Sequence, residues 1–278
     1  MKTKRNVYLN MQSLEGARQI LFDHFAGIGT MAAETVAPPE AVGRILAEPV
    51  TAEVSSPNFH AAAMDGVAVK AKETFGASQA RPRELAVPAQ ARFLNTGNVM
   101  PADSDAVIMI EQIQMIGDDR IRIEAPVVPW QHVRKMGEDI VATELLYPRG
   151  HTVTPYCVGA LISGGVYRVP VRRKPRVLIV PTGSELVDWR TTAPTDLHPG
   201  QVLETNGYVL EKMIEACGGR AVRHKRVMDD LDHIRRAVAE AVAGDVDMVL
   251  TIGGSSAGSE DYALPVLQDL GRMLVHGV

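Results

Sequence analysis

The sequence predicts an α/β protein that carries a separate, mostly-β domain. Three observations predict this. After Pro175, short apolar strand patterns alternate with helical ones, the rhythm of a parallel, three-layer α/β domain. From Pro49 to about Ile140, short β-rich runs alternate with Pro, Gly and Asp turns. The run Met248–Ile252 stops abruptly at Gly253-Gly254, small residues continue to Gly258, and a helical pattern follows, as in a buried strand, a tight glycine loop and a helix start.

Taken in order, Leu14, Ala17, Ile20, Leu21 and Phe25 share helical spacing and predict an amphipathic helix over 13–26. Pro39 suits a first helical turn, and Val42, Ile45 and Leu46 predict a second helix from it. In the β-rich part the expected strands are Val50–Val54, Gly66–Val69, Ala106–Ile110 and Arg120–Ile123, with a hairpin tip at Gly117-Asp118-Asp119. Tyr156–Ser163 predicts a helix stopped by Gly164-Gly165. Arg176–Val180 is an expected strand. Asn206 is placed to cap a helix through Val209, Leu210, Met213, Ile214 and Cys217. Ala221–Val227 is the next strand, and Asp230 caps a helix through Leu231, Ile234, Val238, Ala241 and Val242. Met273–His276 starts another strand.

Composition narrows the function classes. The 278 residues are 46% hydrophobic and 22% charged, an ordinary globular balance. A net charge of −4 gives no global attraction to nucleic acid or an anionic membrane. Cys157 and Cys217 lie too far apart in sequence for a disulfide framework, which fits a reduced, cytoplasmic setting with both thiols in the core. The basic start lacks an apolar signal core, and no apolar run is long enough to span a bilayer. The histidines show no HExxH or paired zinc-ligand spacing.

Ligands of parallel sheets bind beyond the carboxyl ends of the strands. Two loops fall there: the long, Pro-rich 181–200 segment and the glycine loop 253–260. Backbone N–H groups of Gly253, Gly254, Ser255 and Gly258 at a positive helix end suit an anion, and the loop is neither a Walker A loop nor GxGxxG. Thr182, Glu185, Asp229 and Asp261 gather at the same edge. Carboxylates beside an anion loop make sense around a divalent metal such as Mg2+, which often takes one or two carboxylates plus substrate oxygens. Taken singly, Asp229, Asp230 and Asp261 also read as helix caps. Asp65-Gly66, Asn95-Thr96-Gly97 and Gly137-Glu138-Asp139 are, on spacing alone, turn chemistry. The basic runs Arg172-Arg173-Lys174 and Arg223-His224-Lys225-Arg226 read as solvated strand flanks or as holders of an anionic substrate. No nucleophile–base arrangement is discernible.

These motifs, in this order, resemble one family: the MoeA-type molybdopterin molybdenumtransferases, represented also by the C-terminal region of gephyrin. The match is carried by Ala63–Val69 (AMDGVAV), Asn95-Thr96-Gly97 with Pro101, Gly137–Ile140 (GEDI), Pro181–Leu186 (PTGSEL), Thr205-Asn206, Asp229-Asp230, and Gly253-Gly254 through Gly258 to Asp261-Tyr262. The resemblance implies a homodimer of elongated subunits. Residues 1–48 and 141–173 would form the dimerisation region, 49–140 an inserted β domain and 174–278 the molybdopterin-binding α/β domain, with the family's C-terminal β domain absent. It implies insertion of molybdate into adenylylated molybdopterin, with loss of AMP and dependence on Mg2+, in a cleft that faces the β domain of the other subunit. Asp65, Glu185, Asp229 and Asp261 fall on catalytic positions, with Asp229 and Asp261 on the metal. Thr96, Asp139, Thr182, Gly183, Asn206, Gly253, Gly254, Ser255 and Gly258 fall on substrate-binding positions. The implied partners are a second copy, the pterin substrate and the molybdopterin adenylyltransferase, with no nucleic acid or membrane.

Two departures qualify the match. His60, Ala61 and Ala62 stand where the family has a polar run. The family also continues past the position of Val278, so the sheet is expected to lack its last strand. The alternative function is therefore a non-catalytic molybdopterin-binding or scaffold protein. An adenylyltransferase step is disfavoured by the β domain and dimer segments.

Overall fold

The computed structural model describes residues 11–27, 29–253 and 262–278. The chain divides into two compact units: Glu34–Val171, and the N-terminal segment to Ala33 together with Arg172–Val278.

Helix α1, Leu14–Phe25, opens with Ser13, whose hydroxyl accepts from the Gly16 N–H at 3.1 Å. Strand β1 is Ala33–Val36. In the first unit follow β2 (Val50–Thr51), β3 (Ala61–Ala62), β4 (Gly66–Val69), the short helix α2 (Ala71–Thr74), β5 (Arg83–Ala86), β6 (Ala91–Leu94), β7 (Ala106–Met109), β8 (Ile113–Ile116), β9 (Arg120–Ile123), β10 (Val133–Arg134), β11 (Leu145–Tyr147), helix α3 (Pro155–Ser163) and β12 (Val169–Arg172). They form small sheets: β6-β4-β7 and β5-β9-β8, both antiparallel, and the pairs β1-β12, β10-β3 and β11-β2. β8 and β9 turn at Gly117–Asp119, as expected. Val67, Val69, Leu85, Ile108, Ile121 and Ile123 share one core between the two three-stranded sheets. Leu46, Val153, Leu161, Val169 and Val171 share another around α3. Each such side chain, fully buried, is worth ~1.5–3 kcal/mol.

Several sequence expectations change here. No α-helix runs from Pro39 to Leu46. Pro38–Ala41 makes one 3-10 turn, then Gly43 takes φ +76° and the chain straightens. Ile45 and Leu46 instead bridge to Thr152 and Val171. Apolar spacing at 42, 45 and 46 suits both conformations, and pairing with a distant strand decided it. Val50–Val54 shortens to two residues. Cys157 is in the core, whereas Cys217, at the end of a helix, is exposed.

The second unit holds β13 (Arg176–Pro181), β14 (Leu186–Val187), β15 (Val202–Leu203), α4 (Asn206–Ala216), β16 (Arg220–Arg223), α5 (Leu231–Ala243), β17 (Met248–Ile252) and α6 (Ala263–Leu270). β16, β13 and β17 form a parallel sheet in that order, so β13 is central. Right-handed crossovers in this order put α4 and α5 on opposite faces. Leu178 and Val180 pack with Ile234, Ala237, Val238 and Ala241 of α5 and with Val266 of α6, and α4 lies against β16 and β13. The predicted strand at Met273–His276 is not formed; Gly277 makes a single bridge to Met11. Among the described residues no helix is long and apolar enough to cross a membrane.

Candidate active site at the carboxyl edge of the parallel sheet

The chain leaves β13 for β16 on one side and reaches β17 on the other, so the carboxyl ends of β13 and β17 flank a topological switch point. Thr182 follows β13 there and is 6% exposed. Its N–H and its hydroxyl both donate to the Ile252 carbonyl, each at 2.8 Å, which ties the end of β13 to the end of β17. Gly253 comes next at φ +97°. A Cβ on it would stand 2.6 Å from the Thr182 hydroxyl and 2.9 Å from its carbonyl oxygen, so only glycine fits. Gly254, Ser255, Gly258 and Asp261 lie outside the described residues.

On the other flank the loop after Thr182 is anchored residue by residue. The Gly183 N–H donates to the Val227 carbonyl at 3.1 Å, and the Ser184 N–H donates to Asp229 Oδ2 at 2.8 Å. The Arg226 guanidinium donates to the Ser184 carbonyl at 3.1 Å and to the Leu186 carbonyl. The Glu185 carbonyl accepts from the Val202 N–H at 3.0 Å. Glu185 thus has a fixed backbone and an exposed carboxylate, which folds back over Gly183. The two neighbouring acids part ways. Asp230 is the N-cap of α5, accepting from the N–H groups of Asp232 and His233 at 3.0 Å. Asp229 caps no helix and reaches instead to the loop that carries Glu185.

Asn206 is the first residue of α4, not its cap. Glu204, 9% exposed, supplies the cap: its Oε1 accepts from the Gly207 N–H at 2.6 Å. A Cβ on Gly207 would meet that carboxylate at 2.9 Å, so the glycine admits it. Sequence reasoning missed Glu204, for which an acid followed three residues later by glycine at a helix start was the signal; Arg226 was read only as part of a basic run, a strand flank or a holder of an anionic substrate, and its bonds to the loop carbonyls were not foreseen.

Among the described residues no group of three or more His, Cys, Asp or Glu side chains is placed to hold a metal ion. That fits Mg2+ only in its common mode of one or two carboxylates with the rest from substrate oxygens and water. Asp229, with Oδ2 on Ser184 and Oδ1 free of hydrogen bonds among the described residues, is suited to one such ligand.

The other unit holds a second constellation, built on the strand pair β3–β10. Val133 lies opposite Ala62 and Arg134 opposite Ala61. Loop 95–98 closes on the same residues: the Ala62 N–H donates to Asn98 and the Gly97 N–H to the Ala62 carbonyl, at 2.9 and 2.8 Å. Three residues past β3, Asp65 Oδ1 accepts from the Thr96 N–H at 2.6 Å and the Thr96 hydroxyl at 2.9 Å. The backbone bond and then the hydroxyl bond hold the Asp65 carboxyl below its usual range. At the end of β10, Arg134 donates to Glu138 at 2.6 Å and to Asp139 at 2.7 Å, in the loop that follows. The residues standing in place of the family's polar run are accommodated: Ala61 and Ala62 are buried strand residues, and His60 Nδ1 accepts from the Met136 N–H at 3.0 Å.

A depressed carboxylate pKa in the folded state means that Asp65 contributes stability above the unfolded value, ~3.9. That contribution is lost as pH falls through the lower folded value. Asp65→Asn is therefore expected to flatten the pH dependence of the urea midpoint below about pH 4, where the wild type weakens.

Residues 12–165 match the family model described as the MoeA N-terminal region, domains I and II, and residues 178–278 match the probable molybdopterin binding domain. The chain is 32% identical over 240 residues to molybdopterin molybdenumtransferase 2 of Mycobacterium tuberculosis, covering 81% of this chain and 58% of that one. It is 31% identical over 256 residues to the molybdopterin molybdenumtransferase of Bacillus subtilis, covering 86% and 58%. The crystal structure of a molybdopterin biosynthesis MoeA protein from Pyrococcus horikoshii superposes with a TM-score of 0.73 at 32% identity, covering 88% of this chain and 67% of that one. The fold and the two matched regions define a protein of molybdenum cofactor biosynthesis. The chain belongs to the MoeA family. It spans a little over half the length of the two curated relatives named here.

Proposed function

We propose that this protein inserts molybdate into adenylylated molybdopterin with release of AMP. The observation that carries the reading is the anchored loop at the switch point. Glu185 is presented from a backbone fixed on four sides, and Asp229 holds that loop through one oxygen while the other makes no hydrogen bond among the described residues. Within a MoeA-family chain, this is an arrangement suited to a phosphorylated substrate. Cleavage at phosphorus needs positioning and charge neutralisation more than a protein nucleophile.

In this reading Asp65, Glu185, Asp229 and Asp261 are the catalytic acids. Thr96, Asp139, Thr182, Gly183, Asn206, Gly253, Gly254, Ser255 and Gly258 bind substrate, and Asp229 and Asp261 hold Mg2+, which when bound would neutralise phosphate charge. The protein works as a cytoplasmic homodimer and receives its substrate from the adenylyltransferase. The exposed side chains of Leu14, Phe22 and Phe25 on α1 support self-association.

Calorimetric titration with adenylylated molybdopterin tests the reading. Binding is expected to strengthen with Mg2+ and to weaken about ten-fold in Glu185→Gln. Binding indifferent to both would count against it.

A further inference from the structure

The β-rich part of the first unit has a cavity of its own, about 540 Å³, which the proposed reaction does not use. It lies against the β8–β9 hairpin. Alternation along β9 buries Ile121 and Ile123 on one face and sets Arg122 on the other. Gln114 stands opposite Arg122 across the pair. The same register, carried one step past Ile113 and Ile123, sets Gln112 opposite Glu124. A cation and an anion therefore follow one strand line and two amides follow the other. All four side chains line the cavity, with Ile113 and Val127 as an apolar part of the wall.

The charged residues of the lining are Glu111, Arg122 and Glu124. Glu111 and Glu124 are exposed and make no ion pair among the described residues. Arg122 is weakly held. Its only carboxylate contact is Glu84 at 3.5 Å, and Glu84 is shared with Arg120 at the same distance. The Arg122 Nε is buried with no hydrogen-bond partner, a donor that stays unfavourable until an acceptor meets it. The rest of the side chain is 39% exposed, so the guanidinium has room to turn toward a ligand. Gln112 and Gln114 make no side-chain hydrogen bond among the described residues. A simple cation would satisfy the carboxylates and leave Arg122 without an acceptor; a simple anion would do the reverse. Arg122 and Glu124 are two residues apart, ~7 Å on an extended chain. Two extended residues of a ligand peptide cover the same ~7 Å. The cavity volume lies within the range of small-molecule sites, ~300–1,000 Å³.

We propose that this cavity binds an unblocked dipeptide, with its carboxylate at Arg122, its ammonium at Glu124 and its amide beside Gln112 and Gln114. Both charges of the ligand then meet an opposite charge, and the two glutamines supply the donor and acceptor that a peptide group needs.

Calorimetric titration of the full chain with glycylglycine, N-acetylglycylglycine, glycylglycinamide and glycine tests it. Glycylglycine is expected to bind about ten-fold more tightly than glycine, whose charges are too close together, and blocking either end should weaken it about ten-fold. Glu124→Gln removes an exposed charge that has no ion-pair partner to strand. It should weaken glycylglycine about five-fold and leave the N-acetylated form unchanged, with the melting temperature unaltered. Arg122→Gln should weaken glycylglycine about five-fold and leave glycylglycinamide unchanged. Should Arg122→Gln unfold, Glu124→Gln decides alone. The proposal is overturned if glycylglycine does not bind, if either blocked form or glycine binds as tightly, or if a folded Glu124→Gln binds glycylglycine as the wild type does.

Discussion

A Gly66→Ala protein is expected to lose the β-rich part of the first unit, at a cost of more than about 3 kcal/mol. All four residues of β4 are buried, and the strand is central, paired to β6 on one side and β7 on the other. Gly66 lies opposite Leu94 and Met109. A Cβ there would stand 1.9 Å from the Ile108 carbonyl oxygen, 2.9 Å from its carbon and 3.1 Å from the Ile110 nitrogen. These are backbone atoms of the paired strand β7 and of the residue just after it, so no rotamer change relieves the overlap. β7 must shift, and it carries Ile108 into the core shared with Ile121 and Ile123. Urea unfolding followed by the fluorescence of Trp130, in the same unit, measures the loss. A midpoint within error of the wild type would show that the β4–β7 register is not as described. Because Asp65 immediately precedes Gly66, the Asp65–Thr96 bonds would be lost with it.

Asp229→Asn is expected to keep the fold and lose the reaction. The asparagine amide oxygen can still accept the Ser184 N–H that Asp229 Oδ2 takes at 2.8 Å, so the loop that carries Glu185 stays anchored. What disappears is one negative charge at the switch point. If Asp229 neutralises substrate charge through Mg2+, AMP release should fall by about 10²-fold or more, the size of effect seen when one electrostatic element of an active site is removed. Circular dichroism and melting temperature should not change. Asp229→Ala, which also frees the Ser184 N–H, should in addition loosen the loop. Equal loss in both variants with intact folding assigns the defect to charge; loss only in Ala would make Asp229 an anchor and nothing more.

Much of the α/β unit was legible in the sequence, because its signals are local. Alternating strand and helix periods, the Asp230 cap and the stop of β17 at Gly253 depend on neighbours within a few residues. The errors fall where a distant partner decides. Val42, Ile45 and Leu46 have helical spacing, yet Leu46 is fully buried by bridging Val171, more than a hundred residues away. The strand read as Ala221–Val227 ends at Arg223, and only Val227 rejoins the sheet, through a bridge to Thr182. The site divides in the same way. Thr182, Glu185 and Asp229 were placed at one edge from topology alone. The distinction between Asp229, which holds a loop, and Asp230, which caps a helix, depends on where Ser184 lies in space. Arg226 looked like a strand flank for the same reason: its partners are backbone carbonyls about forty residues earlier, and carbonyls leave no mark in a sequence.

The most direct test of the functional reading is AMP release from adenylylated molybdopterin by this chain, with and without molybdate, in the presence of Mg2+. Release is expected to require molybdate and to be lost in Asp229→Asn and in Asp65→Asn, both still folded. Adenylylated molybdopterin that binds but remains intact with molybdate present would contradict it and would make the chain a molybdopterin-binding or scaffold protein.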